Sequence, residues 1–297
     1  MPSPGNPSDR RSSSTAFAFL PSRRGLEFVE TEERHKMGIL DREDRGRVAH
    51  LRMNAPEKLN ALSDEMLAAL KEAFETLRED REIGVVVLSG AGKAFCAGHD
   101  LKEMQAGRQA EDGGAAWFGD LFARCSAVME AIRTLPQPVI AMPHGIATAA
   151  GCQLVATCDM AVAAEGTRFG VNGVNIGLFC STPMVALSRN IPRKQAFEML
   201  TTGEFIGTDR AVELGLINRA VPQDQLEAAT MDLAEKVAGK LSAAVRIGKA
   251  AFYDQIEMPV QDAYAYTGEV MVRNMMLRDT DEGIRAFIEK RPPDWSQ

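Results

Sequence analysis

Apolar positions along the chain fall into three rhythms. Val85–Leu88 and Val139–Met142 are short, continuous apolar runs, the pattern of strands buried on both faces. Arg47–Met53 alternates roughly as a strand. Met66, Leu67, Leu70, Phe74 and Leu77 recur at helical spacing behind Ser63, a good N-cap, with Asp64 and Glu65 in the first turn. Trp117–Leu135 predicts a second helix, closed by Pro136 and Pro138. Further on, Asp159–Ala163 predicts a strand, Arg168–Gly170 a turn or short strand, and Leu216–Val221 a closing strand. Pro192–Thr201 and Thr208–Leu214 read as helices, and Gln225–Lys290 is mostly helical. The Gly/Ala-rich, polar stretch Gln105–Ala116 reads as a mobile loop over the site. Residues 1–26, rich in Ser, Pro and Arg, read as a disordered tail, with the fold beginning near Glu27.

Two stretches stand out for chemistry, Lys93–Met104 and His144–Leu154. Each follows one of the buried apolar runs and enters a helical segment through small residues. A small residue at a strand-to-helix turn allows close approach of a ligand and leaves N–H groups unpaired. Two such turns side by side aim two donors at one oxygen, the arrangement of an oxyanion hole.

The run Ala94-Phe95-Cys96-Ala97-Gly98-His99-Asp100-Leu101-Lys102-Glu103-Met104, followed by Gly145-Ile146-Ala147-Thr148-Ala149-Ala150-Gly151-Cys152-Gln153-Leu154, resembles the crotonase superfamily, the enoyl-CoA hydratase/isomerase family. Asn54–Leu62, Cys158–Ala163, Gly203–Gly215 and Ala286–Arg291 extend the resemblance, and Asn175–Pro183 is similar to one branch of it. The resemblance implies an α/β fold, the ClpP/crotonase-like spiral of repeated ββα units with a C-terminal helical region. It implies an acyl-CoA-binding core over residues 27–224 and a helical trimerisation region over 225–297. Composition alone leaves a doubly wound sheet open.

The family's oxyanion donors correspond to the backbone N–H groups of His99 and Ala150. Its CoA contacts fall on Lys58, Leu59, Ala61, His99, Asp100, Leu101, Lys102 and, from the C-terminal helix, Lys290. The lysines suit phosphate as point charges, although each also reads as a solvated side chain. The family's hydratases carry two catalytic glutamates, and both positions differ here: one is Gln153, the other Gly173. Neither residue titrates, so ordinary hydration and simple isomerisation are both in question. Among replacements, His99 carries an imidazole beside the first donor. Ser181 stands where related dehalogenases carry a nucleophile, but no base is near it in sequence. Asn172 and Asn175 suit orienting water or substrate. His144 reads as structural and Asp100 as a helix cap. A CoA thioester is expected as substrate with no cofactor, and the rival function is a non-catalytic acyl-CoA binder. A dinucleotide oxidoreductase is disfavoured, since no Gly-X-Gly-X-X-Gly follows a strand with an acid about 20 residues on.

Composition narrows this further. Net charge −7 argues against non-specific nucleic-acid binding, and 45% hydrophobic with 25% charged residues is ordinary for a globular chain. No apolar run approaches a membrane span of roughly 20 residues. The odd five cysteines read as buried free thiols, and the four histidines are too scattered for a metal site. The expected compartment is the cytoplasm, with the mitochondrial matrix as alternative because the tail is basic (Arg10, Arg11, Arg23 and Arg24 against Asp9). Ala263, Val270, Met271, Met275 and Met276 give the C-terminal helices more apolar surface than a lone tail needs, so a homotrimer or dimer of trimers is expected.

Overall fold

A computed structural model describes residues 38–295. The tail assigned to residues 1–26, and the start of the fold placed near Glu27, lie outside the described residues. The chain runs β1 (Leu40–Arg45), β2 (Val48–Met53), α1 (Asp64–Glu79), β3 (Val85–Gly90), α2 (Leu101–Gly107) and α3 (Ala115–Thr134). Next come β4 (Val139–Met142), β5 (Ile146–Thr148), α4 (Ala150–Thr157), β6 (Met160–Ala164) and β7 (Arg168–Gly170). Helices α5 (Pro183–Asn190), α6 (Arg193–Thr202) and α7 (Thr208–Leu214) precede β8 (Arg219–Val221). Four helices follow: α8 (Leu226–Ala238), α9 (Ser242–Gln255), α10 (Val260–Met275) and α11 (Arg278–Ile288).

The main sheet has the order β1-β2-β3-β4-β6-β8, parallel except for β1. Its β-branched strands are buried on both faces. Ala49, Leu51, Met53, Val86 and Leu88 face a core shared with α1 and α3, while Val48, Val85, Val87, Ile140 and Val162 lie under α8. The Ser63 hydroxyl caps α1 by accepting from the Met66 amide at 3.2 Å, and all five apolar residues of the α1 stripe are buried.

A second, smaller ladder runs inside the first. β5 pairs in parallel with β7, and single bridges extend the set: Leu62 with His99, Cys96 with Ala147, and Phe169 with Ile206. Each turn of the chain thus contributes one long strand to the main sheet and one short stretch to the inner ladder. The repeat of two strands and a helix arises from this alternation.

Three expectations need correction. Gln105–Ala116 is not simply a loop: α2 extends to Gly107, turns occupy 108–114, and α3 begins at Ala115. The closing strand is only Arg219–Val221, because Leu216 and Ile217 are buried in the turn after α7. Val270 packs within the chain at 7% exposure, so it adds nothing to the surface of α10, whereas Met271 (63%) and Met276 (80%) stay exposed.

One buried ion pair ties the C-terminal helices to the sheet. Lys249 of α9 donates from Nζ to the Asp159 carboxylate at 2.7 Å and to the carbonyls of Ile132 and Gln137 at 2.9 and 3.0 Å. Asp159 also accepts from the Val139 amide (2.6 Å) and the Tyr253 hydroxyl (2.8 Å). Burial pulls the Lys249 ammonium below its ordinary value, and Asp159 opposes that shift. Removing one member of such a pair strands the other. Lys249→Ala is therefore expected to destabilise the fold by about 3–5 kcal/mol, measured by urea denaturation. A loss near zero would show that the pair is dispensable.

Candidate functional site

The inner ladder brings the two strand-to-helix turns together. Cys96 and Ala147 are bridge partners in parallel, and Thr148 donates its amide to the Cys96 carbonyl at 3.0 Å. Advancing three residues along each parallel segment leads to His99 and Ala150, so the common register sets these two side by side. Gly98 makes the approach possible. Its φ is +90°, and a Cβ there would stand 2.9 Å from the Ala149 Cβ and 3.4 Å from the Ala150 nitrogen. Gly151 packs equally close: a Cβ would meet the Cys96 carbonyl oxygen at 2.1 Å. The N–H groups of His99 and Ala150 donate to no acceptor among the described residues.

Ala149 holds the second turn in a strained state, φ 50° and ψ −119°, outside the regions that alanine favours. Such a residue costs on the order of 1–3 kcal/mol and tends to cluster at functional sites. Asp100 behaves as the sequence suggests: its carboxylate accepts from the Lys102 amide at 2.9 Å and caps α2. Burial pushes that carboxyl up, yet the Lys102 and Glu103 amides and the Lys58 ammonium together hold it below its ordinary value.

The turn bearing Lys58, Leu59 and Ala61 packs beside this pair. Ala97 donates to the Leu59 carbonyl at 3.1 Å, Leu62 to the Gly98 carbonyl at 2.8 Å, and Lys58 Nζ lies 3.4 Å from Asp100. Lys58 is thus paired. Leu101 (57% exposed) and Lys102 are exposed on the first turn of α2, directly after Asp100. Lys290 is exposed beyond α11, which packs chiefly on α10, and no hydrogen bond or ion pair joins it to the turns at Lys58 or His99 among the described residues. Sequence reasoning gave no role to Asn60, which proves central. Fully buried in a left-handed conformation, it accepts from the Ala55 amide (3.0 Å) and donates to the Ala91 and Ala94 carbonyls (both 2.8 Å). The signal was available, because Asn tolerates that conformation and bonds neighbouring backbone.

The side chains around the turns are poor in acid–base groups. His99 sits edge-on to Phe122 at 5.7 Å, with Nδ1 3.4 Å from the Leu62 carbonyl and Nε2 buried without a partner. Burial holds its imidazole below the ordinary value. Gln153 is 5% exposed, and its Oε1 is buried with no partner. Gly173 leaves no empty space: a Cβ there would stand 2.3 Å from the Leu178 carbonyl oxygen and 2.8 Å from Cys180 Sγ. Asn172 accepts from the Thr148 hydroxyl at 2.6 Å, and Asn175 donates to the Gly203 carbonyl at 3.2 Å, so both are engaged within the fold. Ser181 is exposed and bonds only the Phe179 carbonyl among the described residues. His144 donates from Nε2 to the Gly92 carbonyl at 2.8 Å, in agreement with a structural role. All five cysteines are free and buried, and burial lifts the Cys96 and Cys152 thiols to about 12. No group of three metal-ligating side chains occurs among the described residues.

A spiral of two-strand-and-helix units with paired turns at its inner ladder defines a class of protein, and comparison with known proteins agrees. Residues 43–297 match the enoyl-CoA hydratase/isomerase family, whose members act on acyl-CoA thioesters, and the chain belongs to that family and has the crotonase fold. The branch that Asn175–Pro183 resembles is represented by enoyl-CoA hydratase domain-containing protein 3, mitochondrial, of Mus musculus, 45% identical over 84% of this chain and 81% of that protein. The crystal structure of the human enoyl-CoA hydratase domain-containing protein 3 aligns at TM-score 0.82 and 43% identity, covering 86% of this chain and 99% of that one. An enoyl-CoA hydratase structure from Mycobacterium smegmatis aligns at TM-score 0.84 and 54% identity, covering 87% and 99%. No described helix is long and apolar enough to cross a membrane.

The close packing of the turns gives a test. Gly151→Ala sets a methyl against the Cys96 carbonyl, a backbone atom that cannot swing aside. It is expected to destabilise by about 1–3 kcal/mol in urea denaturation. Stability equal to that of the native chain would mean the turns are not held in contact.

Proposed function

We propose that the chain binds an acyl-CoA thioester and polarises its carbonyl between the N–H groups of His99 and Ala150, stabilising an enolate. The observation that carries this reading is the pair of apposed, unpartnered amides at turns locked together through Gly98 and Gly151. Preorganised donors of this kind act where negative charge develops and need no reorganisation during reaction. The rim at Lys58, Leu59, Ala61, Asp100, Leu101 and Lys102 would follow the CoA path, with no further cofactor.

Proton transfer is where the site departs from a hydratase. Gln153 cannot take a proton from water, and Leu178 and Cys180 fill the space beside Gly173. A non-catalytic acyl-CoA binder is therefore the second reading, favoured by that filled space. Exposed apolar residues on the C-terminal helices, with Phe287 at 86%, support self-association as a trimer or dimer of trimers. On that reading Lys290 would serve a neighbouring copy. The names of the vertebrate relatives support a mitochondrial location, the alternative raised by the basic tail, and give no support to the cytoplasm.

Calorimetry and thermal melting with short, medium and aromatic acyl-CoAs test binding. A ligand at 100 times its Kd stabilises by about 2.7 kcal/mol, so saturating thioester is expected to raise the melting temperature. No heat and no shift across the series would remove the proposal.

Turnover separates the two readings. Crotonyl-CoA hydration is expected to be at least about 10²-fold slower than in a two-glutamate relative, the smallest usual contribution of one acid–base group. Gln153→Glu alone should recover little. Gly173→Glu should lower stability instead of supplying the second acid, because its Cβ collides with backbone. Efficient native hydration that survives Gln153→Ala would redirect attention to His99 or another acid.

Light scattering at micromolar concentration tests the assembly. The trimer or its dimer is expected, and a mass near the 32.3 kDa monomer would exclude both.

A further inference from the structure

The paired turns are rich in donors and poor in charge. The amides of Ala150, Gly151 and Cys152 donate to no acceptor among the described residues, and no side chain caps this end of α4. No acid stands in the first turn of α4. Asp100 is spent on the Lys102 amide and on Lys58, and the Thr148 hydroxyl on Asn172. Burial holds the His99 imidazole below its ordinary value, so the ring is uncharged near neutrality.

Gln153 adds a side-chain donor to this set. It follows Ala150 by three residues, on the same face of α4. Helical side chains lean toward the N-terminus, so this one reaches back over the turn that holds the Ala150 amide. Its two polar ends differ. Oε1 is sealed without a partner, whereas Nε2 makes no hydrogen bond among the described residues and is not sealed. On a residue only 5% exposed, the group left open to a ligand is thus an N–H donor. A glutamate there would offer acceptors and a negative charge.

Donors without a base select among acyl groups. Enolising a simple acyl thioester needs a group that takes the Cα proton, and neither Gln153 nor Gly173 can. With a second carbonyl at Cβ, Cα lies between two carbonyls and loses its proton to water or hydroxide. The Cα–H bond breaks, its electron pair forms a double bond to the thioester carbon, and the carbonyl pair moves onto oxygen. The proton leaves to solvent. The anion presents two oxygens that share one negative charge, and both are acceptors.

We propose that the site selects a 3-oxoacyl thioester and holds it as the enolate, with the thioester oxygen at the amides of His99 and Ala150 and the Cβ oxygen at Gln153 Nε2. This rests on the thioester reading above and makes Gln153 a specificity-determining residue. Hydrogen bonds to an anion are roughly twice as strong as those between neutral groups, so this ligand gains more from the same donors than a saturated or 2-enoyl chain.

Calorimetry of the full chain with 3-oxobutanoyl-, butanoyl-, 3-hydroxybutanoyl- and malonyl-CoA at slightly alkaline pH is the test, with near-ultraviolet absorbance reading the enolate directly. 3-Oxobutanoyl-CoA is expected to bind at least about tenfold more tightly than butanoyl-CoA, because the donors favour the charged state, and to be more enolised bound than free. Gln153→Leu keeps the volume and removes the donor, and should narrow that affinity ratio by at least about fivefold. Gln153→Glu keeps the shape and adds a negative charge, and should return the enolate fraction to that of the free ligand. If the leucine variant does not fold, the glutamate variant and the native comparison still decide. Failure of every thioester to bind would remove the thioester reading and this inference with it. Equal affinity for butanoyl-CoA would overturn this inference alone. So would an unchanged ratio in Gln153→Leu, an enolate fraction no higher bound than free, or tighter binding of 3-hydroxybutanoyl- or malonyl-CoA.

Discussion

The parallel register between Cys96 and Ala147 is the constraint on which the rest of the site depends. One bridge in the inner ladder fixes where two chain segments, remote in sequence, turn into helices. Because they run in the same direction, equal steps from the bridge reach equivalent backbone groups, His99 and Ala150. An antiparallel pairing would carry the two amides apart. The main sheet enforces the register from outside: β3 and β4 are parallel, with Val86 opposite Val139 and Leu88 opposite Ala141. Their burial under α8 on one face and against α1 and α3 on the other leaves no freedom to slip, since a shift of one residue would exchange the two faces.

Holding the turns this close has an energetic cost, and its compensation can be located. Ala149, Leu59 and Asn60 all occupy positive φ. Each is fixed by bonds across segments: Ala149 donates to the Gly170 carbonyl at 2.9 Å, Leu59 accepts from Ala97, and Asn60 clamps three backbone groups. The strain therefore sits where the ladder and the sheet both anchor the chain, as expected if it is sustained by packing around it. The C-terminal helices are held differently. Beyond α8, which covers one face of the sheet, α9 is tied in by the Lys249–Asp159 pair with Tyr253, while the outer faces of α10 and α11 keep large apolar side chains in solvent.

Elements with strong periodicity were legible in the sequence: α1, α3, β3 and β4 follow their apolar patterns to within a few residues. β1 was not, because Leu-Asp-Arg-Glu-Asp-Arg has one apolar residue and is held as an edge strand by backbone pairing with β2 and by ion pairs such as Arg52–Asp41. α5 was hidden because its start, Pro183, closes the motif run and its sequence has no wide apolar stripe. The paired turns were legible as motifs, but only coordinates reveal that Gly173 is enclosed by Leu178 and Cys180. His50 and His144 are far apart in the chain, yet both line one cleft, because β2 and β4 flank β3 in the same parallel sheet. Linear spacing says little about residues that meet through a sheet.

The two orphaned groups near the turns bear on what this site can do. Buried Gln153 Oε1 and His99 Nε2 each lack a partner, and an unmet buried polar group costs about 1–3 kcal/mol. His99 Nδ1 faces the Leu62 carbonyl, so in the neutral ring Nδ1 carries the proton and Nε2 is an acceptor. Gln153 Oε1 is an acceptor in any state. Both groups therefore call for donors from outside the fold, water or ligand, and the amides of His99 and Ala150 call for an acceptor. On the proposed reading the thioester oxygen satisfies the amides. A carboxylate at position 153 would meet the same need for a donor and could also remove its proton. The amide meets the first need without the second capability, so on the proposed reading the site would polarise a thioester without supplying the proton transfer that hydration requires.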